Sequence, residues 1–111
     1  VEMVFKGRDN LNAVVFGEDN GEIDFSDVTR MELFLKGDTT SIDTDENPDL
    51  IDWTTVGNGV VIFNLADLDV VVNKDLPATL VAYDPSRPDG QVIVYQDDRK
   101  LTFRFIDTLA G

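Results

Sequence analysis

The residues best equipped for chemistry in this chain are carboxylates, and they crowd one stretch. Asp43, Asp45, Asn47 and Asp49 alternate along the sequence, with Glu46 among them and Asp52 just beyond. Calcium is held by several carboxylate, amide and carbonyl oxygens, and Asp43-x-Asp45-x-Asn47 matches the start of an EF-hand loop. The match ends there, because Pro48 stands where the turn glycine belongs and Thr54 where the bidentate Glu belongs. The competing reading is a solvated loop in a chain with 22 Asp and Glu among 111 residues. Paired carboxylates could also cleave glycosidic bonds, but only when two are held at a set separation across a cleft. No spacing singles out such a pair, so the chain is expected not to be an enzyme.

Two further sets of side chains stand out. Trp53, Tyr83 and Tyr95 could form a platform on which sugars stack, with calcium assisting from the acidic loop. The plainer reading makes them core or cross-strand packing residues, with the Trp53 indole N–H bonded to a backbone carbonyl. Arg87, Arg99, Lys100 and Arg104 gather late in the chain and could dock on the acidic face of an adjacent copy. Otherwise they are solvated strand residues.

Composition narrows the choices. The sequence has no histidine and no cysteine, which removes the commonest general base, disulfides and thiolate metal sites. No resident cofactor is expected, calcium at the acidic loop being the one ion considered. A net charge of −13 argues against nucleic acid, whose phosphates are bound by lysine and arginine displacing counterions. It suits a partner with a basic surface, and it matches the charge balance of proteins adapted to salty water. No apolar run approaches the ~20 residues of a membrane span, and no basic segment leads into an apolar one as in a secretory leader.

These side chains must be carried by strands. Leu76–Asp84, Gln91–Gln96 and Leu101–Ile106 read as a three-strand meander, with turns at Pro85–Gly90 and Asp97–Lys100. Earlier, Glu2–Lys6, Leu11–Phe16, Val28–Lys36, Thr39–Ile42, Leu50–Trp53 and Val60–Leu65 are strand-like, each ended by Gly, Asn or Asp. Asn20-Gly21 is a hairpin turn signal, and Gly57-Asn58-Gly59 is a tight turn. Ala66–Val71 reads either as one helical turn or, at Val71-Val72, as more strand. About seven to nine short strands at spacings of roughly 8–12 residues predict an antiparallel β-sandwich in a single domain over residues 1–111.

The turn cadence carries a resemblance. Gly7-Arg8-Asp9-Asn10-Leu11, then Val14-Val15-Phe16, then Asp19-Asn20-Gly21-Glu22-Ile23-Asp24-Phe25-Ser26-Asp27-Val28-Thr29 resemble the opening of small immunoglobulin-like domains in bacteriophage virion proteins. The N-terminal domain of phage baseplate upper proteins is one example. Glu22 replaces the usual Pro and Asp27 the usual Gly. Gly59–Phe63, Leu76–Asp84 and Asp89-Gly90 are similar to its closing strands. The resemblance implies an immunoglobulin-like sandwich in a phage tail, baseplate or head, made in the host bacterial cytoplasm. It implies self-association or docking on other virion proteins, and no catalytic residues. Under that reading an open sheet edge such as Thr39–Ile42 is a natural place for a neighbour to add on. The alternative is a carbohydrate-binding or adhesion module, with glycan as partner.

Overall fold

The computed structural model describes residues 1–18, 21–54 and 59–107. Eleven strands follow in order: β1 (Glu2–Lys6), β2 (Asn12–Val15), β3 (Gly17–Glu18), β4 (Gly21–Glu22), β5 (Arg30–Leu35), β6 (Ser41–Asp43), β7 (Ile51–Asp52), β8 (Val60–Phe63), β9 (Asp75–Asp84), β10 (Arg87–Val94) and β11 (Thr102–Asp107). One 310 turn covers Gln96–Asp98. The chain is all-β, and no helix among the described residues is long and apolar enough to cross a membrane. The Asn20-Gly21 and Gly57-Asn58-Gly59 turns fall partly on Asp19, Asn20 and residues 55–58, outside the described residues.

The expected meander is the organising element, with β9 as its axis. Along one edge β9 pairs with β5 from Ala78 to Tyr83. Along the other its first residues, Asp75–Pro77, pair with β11, and its later ones, Leu80–Asp84, pair with β10. Thr79 marks the changeover, where its hydroxyl accepts the Gln96 N–H at 3.0 Å. The six-stranded sheet therefore runs β1-β11-β9-β5-β6, with β10 beside β9. A second sheet, β2-β8-β7, covers its inner face, and β3 and β4 form a separate ribbon.

Alternation decides which side chains face in. On β5, Met31, Leu33 and Leu35 are buried while Arg30, Glu32 and Phe34 point outward. On β9 their partners Ala82, Leu80 and Ala78 are likewise buried. Phe63 of β8 and Phe103 of β11, both fully buried, meet edge to face with ring centroids 5.2 Å apart and so join the two sheets. Phe16 and Phe25 make a similar contact at 6.4 Å.

Several expectations need correcting. The large sheet is mixed rather than purely antiparallel, because β1 lies parallel to β11 with Val4 opposite Phe105. The loop expected at Pro85–Gly90 shrinks to Pro85-Ser86, and β10 begins at Arg87, opposite Asp84. The Asp84 carboxylate closes that turn by accepting the Ser86 N–H and pairing with Arg87. Pro88 is tolerated because β10 is an edge strand with an open side. Ala66–Val71 forms neither a helical turn nor a strand. Leu68 N–H bonds back to Leu65, giving one tight turn with Leu65 and Ala66 buried.

Candidate functional site

Strand β5 sets Arg30 and Glu32 side by side on the outer face of the large sheet, opposite Tyr83 and Val81 of β9. Across the other edge, Asp43 of β6 pairs with Glu32. This juxtaposition assembles the most polar cluster described. The Arg30 guanidinium lies 2.8 Å from Asp43, 3.7 Å from Glu32 and 4.0 Å from Asp45. It also stacks 3.9 Å over the Tyr83 ring, a cation–π contact. The Tyr83 hydroxyl donates to Glu32. That hydrogen bond to Glu32, with burial and the Glu32 charge, holds the Tyr83 pKa above the usual phenol value, the opposite of an activated phenolate.

The acidic loop is therefore organised around a cation of its own. One Asp43 oxygen meets Arg30, and the other accepts the Asp45 N–H at 3.0 Å. Its backbone carbonyl takes the N–H groups of Glu46 and Asn47. Thr44, buried beneath, exchanges two bonds with Met31 and pins the loop to β5. Asn47 and Asp49 point to solvent. Among the described residues no group of three or more His, Cys, Asp or Glu side chains is placed to hold a metal; of the calcium set Asp43, Asp45, Asn47 and Asp49, the first two are turned to Arg30 and the last two are exposed. The sequence could not show this, because Arg30 lies far from the loop along the chain.

A substitution separates the two readings. Arg30→Gln strips the carboxylates Glu32, Asp43 and Asp45 of their counter-charge. The variant should melt lower than wild type and regain stability with millimolar calcium, while wild type shows no calcium response. Differential scanning calorimetry with and without the ion reads both. Calcium stabilisation of wild type equal to that of the variant would refute the assignment.

The three aromatics do not form one platform. Trp53 follows β7 and packs half-buried against the core, its indole N–H donating to the Val28 carbonyl at 3.2 Å, as expected from sequence. Tyr83 faces the other way, on the outside of β9, and is already covered by Arg30. Tyr95 lies past the Val94–Leu80 pair, roughly 13 Å along the sheet from Tyr83 at about 3.3 Å per residue. The late basic group also disperses. Arg104 pairs with Asp75 across β11 and β9, and Arg87 pairs with Asp84 at the hairpin.

Most informative is how the aspartates are used. Asp24, Asp38, Asp43, Asp52 and Asp84 each accept the backbone N–H two residues on, closing turns at Ser26, Thr40, Asp45, Thr54 and Ser86. Asp38 also accepts the Val71 N–H and so ties a distant segment. Four of the five have Asp-x-Ser/Thr spacing, which is visible in the sequence and was the missed signal. Even the shallow pocket of Asp27, Asp84, Pro85 and Ser86 is bordered by a carboxylate engaged in this way.

Three of these groups titrate below the usual carboxylate range. The Ser26 N–H lowers Asp24, the Thr40 hydroxyl lowers Asp38, and the Ser86 hydroxyl lowers Asp84. The folded state then binds fewer protons than the unfolded state. Their contribution is present above the ordinary carboxylate pKa of about 4 and is lost as pH falls through the depressed values. Mild acidification from neutral pH relieves repulsion in a chain of charge −13, so the two effects oppose. The melting temperature should rise slightly on mild acidification and fall below about pH 4. Asp38→Asn, which keeps the acceptor oxygen, should flatten that acid limb. An unchanged acid limb in the variant would remove Asp38 from the account.

Compared with known proteins, the chain matches no family model, no curated protein and no solved structure.

Proposed function

We propose that this chain is a non-enzymatic structural or assembly module of a bacteriophage virion, acting through contacts with copies of itself or other virion proteins. The phage assignment rests on the turn-and-strand cadence of residues 7–29 and of the closing strands at Gly59–Phe63, Leu76–Asp84 and Asp89-Gly90, and the all-β fold is compatible with it. The observation that carries the mode of action is how its polar side chains are employed. Five aspartates close turns, Glu32, Asp43 and Asp45 surround Arg30, and Trp53 and Tyr83 bond to protein groups. What the surface then offers a partner is shape, charge and apolar area, the means of protein–protein contact. Particles purified from the phage that encodes the chain should contain it at a fixed copy number, as read by quantitative mass spectrometry. Its absence from such particles would overturn the proposal.

A further inference from the structure

The outer face of the large sheet combines two features. First, no other described element covers it, and it carries apolar side chains that alternation would reserve for polar ones. Met3 and Phe5 on β1 are 38% and 39% exposed, Phe34 on β5 is 38% exposed and Val92 on β10 is 54% exposed. All four belong to this face: Val4 between Met3 and Phe5 is buried, Phe34 alternates with Leu33 and Leu35, and Val92 sits opposite outward Val81. Second, the face is nearly balanced in charge. It holds three of the nine Lys and Arg residues (Arg30, Lys36, Arg104) against four of the 22 Asp and Glu (Glu32, Asp43, Asp75, Asp97), with Asp45 at its rim. Those charges pair with one another, Lys36 just past β5 reaching Asp97 of the 310 turn at 3.1 Å and Arg104 reaching Asp75 across β11 and β9 at 2.7 Å. Nearly all of the net charge of −13 therefore lies elsewhere.

The sheet edges are poor competitors for a neighbour. The β1 edge is capped by Asn10, whose amide both accepts the Phe5 N–H and donates to the Phe5 carbonyl, and by Asn12 on the Met3 carbonyl. Strand β6 has only three residues. Strand β10 carries Pro88 and two register shifts. Short strands, proline and bulges all discourage edge-to-edge pairing.

We propose that the outer face of the six-stranded sheet is a homodimer interface, on which a second copy of this chain packs sheet to sheet about a two-fold axis. The inference rests on the assembly reading above and gives its contact surface. A two-fold axis brings the same patch to itself, so the patch must tolerate its own charge. Elsewhere two copies present acid to acid, while here alternating paired charges can meet their opposites. Twisted sheets stack about 10 Å apart with their strands nearly aligned, which lets Phe34 and Val92 interleave with their copies.

Sedimentation equilibrium over a wide concentration range, at low and high salt, tests this. Association to a dimer is expected, strengthening with salt as repulsion between the acidic remainders is screened. Phe34→Glu and Val92→Glu, made separately, should each raise the dissociation constant at least tenfold. Val15→Glu, on the exposed edge of the small sheet, should leave it unchanged. Because Phe34 and Val92 are already exposed, melting curves of dilute protein should match wild type. A strict monomer at every concentration and salt, or a dimer indifferent to both substitutions, would overturn the inference. A dimer of this kind in a protein absent from phage particles would refute the virion reading and leave the interface standing.

Discussion

Phe103→Ala is expected to destabilise the fold by about 3–5 kcal/mol, the range for truncating a buried phenylalanine. The ring is fully buried on β11 and touches Phe63 across the gap between sheets, at 5.2 Å and 71°. It also lies 6.4 Å from Phe105 on its own strand. Truncation thus removes the transfer free energy of the ring and an edge-to-face contact, and it leaves a void that rigid strands cannot collapse into. A domain of this size is stable by only about 5–15 kcal/mol, so a substantial unfolded fraction should appear at modest denaturant. Urea unfolding followed by Trp53 fluorescence measures it. Phe103→Leu, which refills part of the void, should recover at least half the loss. Equal losses for Ala and Leu would mean that ring geometry rather than volume holds the sheets.

Gly90→Ala is the second large effect, expected at about 2–4 kcal/mol from left-handed strain and overpacking together. Gly90 has φ +86°, and a Cβ built there would sit 2.6 Å from Val81 Cγ1 and 2.8 Å from Tyr83 Cε1. The bare backbone of Gly90 gives the Tyr83 ring its place in the hairpin, while Arg30 covers the ring at 3.9 Å. Pushing the ring aside disturbs its bond to Glu32 and the stacking of Arg30 together. The cost should therefore be smaller in a Tyr83→Ala background, where only the backbone strain and the Val81 contact remain. A double-mutant cycle by urea unfolding gives the coupling, and strict additivity would show that Gly90 and Tyr83 act independently.

These two positions differ in how legible they were. Phe103 belongs to an alternating stretch, Thr102–Ile106, whose period already marks it as inward-facing. Gly90 read as a loop glycine, because nothing in Pro85–Gly90 shows that Asp84 closes the turn early and returns the chain to the sheet at Arg87. Trp53 was legible down to its hydrogen bond, since a lone indole near a core must satisfy its N–H. The acidic loop was not. Its spacing fits a cation, but the cation is Arg30, thirteen residues before Asp43 and brought beside it by the β5–β6 pairing.

Local pattern by itself determined the all-β class, most strand positions and the aspartate turns, because alternation and Asp-x-Ser/Thr closure act within a few residues of chain. Tertiary structure alone decided which edges meet. It set β1 parallel to β11, gave β9 two successive partners along one edge, and left Met3, Phe5, Phe34 and Val92 on an open face. Period-two sequence says which side chains share a face, but not which strand lies beside which. That choice is made by packing between segments distant in the chain, here the stacking of Phe63 on Phe103 and the clamp of Arg30 on Asp43.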